Sequence, residues 1–145
     1  MTVGLADKIV ELHHKLDTAG LPHAFGGAMA LAYCTGEPRA TIDIDVNVFV
    51  GTDQIDVLAR ALEPEIAVAG PDVERLSSDG QTRLWWDRTP VDVFLSNHPF
   101  HDEAEDRVRT VPFAGIDELP VLDCADLALF KAFFAKVADT VVALG

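Results

Sequence analysis

The chain has 145 residues, 49% of them hydrophobic, with a mean hydropathy of +0.19; that is material for one domain around one core. Twenty-four acids against 11 bases give a net charge of −13, which excludes a generic basic nucleic-acid coat. The longest greasy stretch, residues 127–145, is broken by Lys131, Lys136 and Asp139, and the amphipathic N-terminus carries Asp7 and Glu11, so neither a membrane span nor a signal peptide is expected and the protein is read as cytoplasmic.

In chain order, Val3, Ile9, Val10, Leu12 and Leu16 recur at helical spacing over residues 3–19, with Gly20 as the stop. His13 and His14 fall on the surface of that helix, and His23 is a structural residue in the extended stretch 21–25. Gly26-Gly27 leads into a small-residue helix over 28–34; glycine permits a tight turn, and the free N–H groups of a helix start favour an anion such as phosphate. After the loop around Arg39 comes a strand with Asp43 and Asp45 two residues apart. Their side chains share one face, roughly 6–7 Å apart. Thr41 and Asn47 join that face; Ile42, Ile44, Val46 and Val48 form the core face.

A helix over 53–62 with Thr52 as its N-cap follows, ended by Pro64; residues 65–70 are a short strand or loop, 71–76 one or two helical turns, and 77–80 a turn. Gln81–Trp86 and Val91–Leu95 read as a hairpin that plants Asp92 between Val91 and Val93, with Trp85 and Trp86 on opposite faces. Residues 98–106 are a polar helix or loop, 108–113 and 119–122 are strands, and Asp123 caps a helix over 124–137 that contains Lys131. Cys34 and Cys124 match no metal spacing and are read as reduced core thiols. The pattern is one α/β domain over residues 1–145, without repeats or linkers.

Three aspartates in apolar strands are costly to bury ionised and unpaired. If their strands are neighbours, Asp43, Asp45 and Asp92 converge, and hard divalent cations accept such oxygen ligands. Two metals on three acids suit phosphoryl and nucleotidyl transfer. Arginine pairing or exposure on an edge strand is the alternative.

The motif set GG, PRATIDIDVNVFV and PVDVF resembles the nucleotidyltransferase superfamily with the DNA polymerase β-like fold. The form GGxxAL followed by RxTxDID, together with Lys131 after LPVLDCADLALF, resembles the AbiEii-type toxin nucleotidyltransferases, including their mycobacterial branch. The resemblance implies an α/β (α+β) nucleotidyltransferase fold, a mixed central sheet carrying the acidic site between helices. It implies that Gly26 and Gly27 cradle the triphosphate of an NTP, that Asp43, Asp45 and Asp92 bind two Mg²⁺ ions, and that Asp92 helps take the acceptor's proton. Arg39, Thr41 and Lys131 would contact phosphate. It further implies a toxin that modifies an RNA hydroxyl, with the tRNA 3′ end as leading acceptor, and a cognate antitoxin. Arg75, Arg83, Arg88, Arg107 and Arg109 would hold the RNA. A cationic small molecule such as an aminoglycoside fits the −13 charge as an alternative acceptor, and a non-catalytic, antitoxin-like binding module is a third reading.

Overall fold

The computed structural model describes residues 4–37 and 42–130. The expectations for Arg39, Thr41 and Lys131 lie outside the described residues. Helix α1 (Leu5–Thr18) buries Ile9, Leu12 and Leu16, the positions of its apolar stripe. It ends where Gly20 takes a left-handed φ of 71° and the Leu21 N–H donates to the Leu16 carbonyl at 2.9 Å. Strand β1 (His23–Phe25), helix α2 (Gly27–Thr35) and strand β2 (Ile44–Val48) follow. A short 3₁₀ turn, Thr52–Gln54, leads into α3 (Ile55–Leu62), and α4 (Gly70–Asp79) comes next. Strands β3 (Gln81–Trp86) and β4 (Thr89–Leu95), helix α5 (Pro99–Asp106), strands β5 (Arg109–Phe113) and β6 (Ile116–Val121), and helix α6, described over residues 124–130, complete the order.

The six strands make one mixed sheet in the order β3-β4-β2-β1-β6-β5. The β2–β4 and β1–β6 pairs are parallel, and the other neighbours antiparallel. Ile44, Val46, Val48, Val91, Val93, Leu95, Leu84 and Trp86 alternate onto one buried face. Each fully buried aliphatic side chain contributes about 2 kcal/mol of apolar burial. Helix α4 packs against β3 on that face, and α3 packs against both α1 and α4. The buried Lys8 fastens α1 to the β3–β4 turn: its ammonium donates to the Trp86 carbonyl at 3.2 Å and to Thr89 Oγ1 at 2.8 Å. At the far side of α4, Arg75 Nε donates to Thr82 Oγ1 at 3.0 Å.

Several expectations shift. Ile42 is 78% exposed, not core, because the ladder begins only at Ile44 and the alternation has no force before it. The expected turn at 77–80 is the end of α4. Asp72 accepts the Ala69 N–H at 3.0 Å at its start, the Ser78 hydroxyl is satisfied by the Glu74 carbonyl at 2.9 Å, and Gly80 supplies the left-handed cap. Thr52 opens the 3₁₀ turn rather than capping α3. Of the two readings of 65–70, the loop holds for residues 65–69. β5 and β6 are two arms of a hairpin whose turn places Ala114 and Gly115 at positive φ. His13 is partly buried, its Nδ1 2.9 Å from His23 Nε2.

The largest correction concerns the cysteines. Cys34 and Cys124 form a disulfide, with Cα atoms 5.7 Å apart, joining the end of α2 to the start of α6. Distance in sequence conceals it, since 90 residues separate the pair. The thiol argument for a reducing compartment falls with it. Among the described residues, no helix is long and apolar enough to cross a membrane. Closing so long a loop restricts the unfolded chain, so reduction should lower unfolding stability by about 2–4 kcal/mol. Urea melts with and without dithiothreitol check this, with Cys34→Ser expected to match the reduced protein.

Candidate active site

The site forms where β1 ends and β2 begins, beside the middle of β4. The Gly26 N–H donates to the Asp45 carbonyl at 2.9 Å, which lays the glycine pair against the start of β2. Gly27 has φ 64°, and a Cβ there would run into the Asp45 carboxylate, with Cγ 2.9 Å away. Both the backbone conformation and the close approach require glycine. Among the described residues no side chain caps the N-terminus of α2, where the first-turn N–H groups have no partner within the helix.

Parallel pairing sets Asp45 directly opposite Asp92, and antiparallel pairing sets Arg83 opposite Asp92. Residues opposed across a ladder point to the same face, so β3, β4 and β2 each deliver one ionisable group to one spot. Asp43 arrives just before β2 begins. Arg83 grips Asp92 with two bonds, Nε to Oδ1 at 2.8 Å and Nη2 to Oδ2 at 3.0 Å, and reaches Asp43 Oδ2 at 3.4 Å. Burial, then the charge of Asp92 and a hydrogen bond with it, then the charge of Asp43, push the Asp45 carboxyl up to about 7, against the opposing pull of Arg83. The hydrogen bond to Asp92 and that residue's charge raise the Arg83 guanidinium above its ordinary value.

Of the residues expected at the site, the structure brings Gly26, Gly27, Asp43, Asp45 and Asp92 together. The expected arginine group is dispersed among other partners. Arg75 pairs with Asp72 at 2.6 Å, Arg107 donates to the buried Asp126 at 3.0 Å, and the Arg109 guanidinium lies 3.4 Å from Cys124 Sγ. Arg83 alone of these five bonds to the acid cluster in the described structure. Counting outward from the tight Asp87–Arg88 turn pairs Trp86 with Thr89 and Arg83 with Asp92; that count was available in the sequence once the turn was taken as two residues.

Asp43, Asp45 and Asp92 present oxygen donors only, the chemistry of a hard divalent cation. Asn47, two residues beyond Asp45, adds a buried Oδ1 with no hydrogen-bond partner among the described residues. Burial first, and the neighbouring charges of Asp92 and Asp43 after it, give Asp45 its high proton affinity. The donor set therefore fits such an ion, although the described residues hold no ready-made cluster of three ligands at metal-binding spacing.

The fold is that of nucleotidyltransferases. The antibiotic-resistance factor ANT(2'')-Ia superposes with a TM-score of 0.67 at 14% identity, covering 90% of this chain and 71% of that one. TM1012 from Thermotoga maritima, described as a nucleotidyltransferase, superposes with a TM-score of 0.60 at 14% identity, covering 94% and 89%. The family model for nucleotidyl transferase AbiEii toxin, type IV toxin–antitoxin system, matches residues 12–131, and the chain belongs to that family. No curated protein matches.

Replacing Asp45 removes a repelling charge, so Asp45→Asn should leave the cation-free protein as stable as the wild type, or up to about 1 kcal/mol more stable at pH 7.5. It should also abolish any rise in melting temperature on adding Mg²⁺ or Mn²⁺. Thermal melts with chelator and with excess cation check both. A loss above about 2 kcal/mol in chelator would show that Asp45 is a stabilising partner instead.

Proposed function

We propose that this protein transfers a nucleoside monophosphate from an NTP to an RNA hydroxyl, that of the 3′ end of tRNA, and releases pyrophosphate in a Mg²⁺-dependent reaction. One observation carries the reading: Asp45 and Asp92 oppose each other beside a glycine pair whose second member, Gly27, cannot bear a Cβ, in a chain of the AbiEii toxin family.

Asp43, Asp45 and Asp92 would hold the cations. When bound, Mg²⁺ supplies charge neutralisation on the triphosphate and acidifies the acceptor hydroxyl. The acceptor oxygen forms a bond to the α-phosphorus, the bond to pyrophosphate breaks, and Asp92 accepts the hydroxyl proton. Gly26 holds the tight turn through its bond to the Asp45 carbonyl, and Gly27 and the start of α2 would present backbone N–H groups to the phosphates. Arg39, Thr41 and Lys131 are assigned to phosphate contacts by their positions in the family motif. An antitoxin partner follows from the toxin–antitoxin character of the family. A small cationic acceptor is the second reading, favoured by the net charge of −13.

The test incubates the protein with each labelled NTP, Mg²⁺ and either total tRNA or an aminoglycoside panel. Label on tRNA is expected, reduced at least about a hundredfold by Asp92→Asn. Label on an aminoglycoside alone would transfer the assignment to the small-molecule reading. Label on neither, with NTP still bound, would sink the enzymatic proposal.

A further inference from the structure

The pair most difficult to reconcile with a loaded site is Arg83–Asp92. Both oxygens of Asp92 are engaged by the guanidinium, at 2.8 Å and 3.0 Å, and a third contact at 3.4 Å reaches Asp43. The inference rests on the reading above: these oxygens are the ones that would hold a cation and accept a proton. A divalent ion and a guanidinium sharing one carboxylate repel each other at a few ångströms.

We propose that Arg83 is a displaceable counterion, which holds Asp92 in the free protein and, when cation and NTP load, gives up that carboxylate and moves to the substrate's phosphates. Three structural features support the exchange. First, β3 is an edge strand, the first in the sheet order, and the Arg83 side chain is half exposed, so the guanidinium has freedom to move. Second, it lines an open cavity of about 450 Å³ that also includes Asp92, Gln81, Arg75 and Phe94. The space beside the carboxylate is therefore not filled by core packing. Third, the weaker arm is already long, since the Asp43 contact is stretched to 3.4 Å while the Asp92 contacts are short. Arg83 is thus committed chiefly to one carboxylate, the one set opposite Asp45.

The exchange has a thermodynamic consequence. A freed guanidinium needs an anion, and its planar fork matches phosphate oxygens as well as carboxylate oxygens. The triphosphate therefore lowers the cost of cation binding, and the cation lowers the cost of triphosphate binding by the same factor. Metal alone binds against Arg83; metal with NTP does not. The device also keeps the acid cluster from filling with stray cations in the absence of substrate.

Mn²⁺ affinity, measured by electron paramagnetic resonance with and without a non-hydrolysable NTP analogue, tests this. For the wild type, weak Mn²⁺ binding that the analogue strengthens is expected. Arg83→Gln should bind Mn²⁺ alone about tenfold more tightly, and the strengthening by the analogue should shrink by a similar factor. Arg83→Lys keeps the charge and should stay close to wild type, and circular dichroism checks that each variant keeps the fold. The proposal is overturned if Arg83→Gln binds Mn²⁺ no more tightly than wild type, or if Arg83→Lys frees the site as fully as Gln. If the wild type binds no Mn²⁺ even with the analogue, the metal-site reading itself fails, and this inference with it.

Discussion

Asp45 and Asp92 face each other across the β2–β4 ladder, and the charge they share governs what surrounds them. The pairing is not a free choice of the two acids. It is imposed by Ile44, Val46 and Val48 beside Val91, Val93 and Leu95, which must all face the core. A slip of one residue would send every one of these side chains to the opposite face. Hydrophobic burial, summed over the two strands, thus holds together carboxylates that would otherwise move apart. Burial, and then the facing charge of Asp92, raise the Asp45 carboxyl to about 7.

The neighbouring features follow from this constraint. Position 27 is glycine because the Asp45 carboxylate occupies the space a side chain would need. Arg83 is drawn in because β3 sets it opposite Asp92. The elements that bear these groups are fixed from behind, by Lys8 at the hairpin turn and by the Arg75 and Asp72 contacts to Thr82. The disulfide ties the helix that starts at the glycine pair to α6. Local chemistry, packing and the acid site are therefore coupled: a change in the register of one strand would dismantle all three.

Period-two alternation and the glycine pair made the acid strand and its partner legible before any coordinates, because those signals are local and act at every residue. The end of α4 was not legible. Ser77, Ser78 and Asp79 are turn formers by propensity, but within this helix the Ser78 hydroxyl finds a carbonyl one turn back, and Gly80 supplies the stop. Ile42 was assigned by extending an alternation beyond the ladder that enforces it. The Cys34–Cys124 bond joins residues whose proximity is a product of the whole topology, which no spacing rule encodes. Arg83 lies between these cases. Its place beside Asp92 depends on the two-residue turn at Asp87–Arg88, where a positive φ at Asp87 closes the hairpin tightly enough to set the register.

Under the proposed function, such a cluster would hold charge that arrives with a substrate. Carboxylates pressed together gain most from a small, highly charged cation, and a triphosphate gains most from the same ion. The most direct measurement is an anomalous-scattering map from crystals grown with Mn²⁺ and a non-hydrolysable NTP. The expected map places manganese on Asp45 and Asp92, with phosphate density over Gly26 and Gly27. Manganese bound elsewhere, with Arg83 still seated on Asp92 and the acids free of metal, would contradict the cation site.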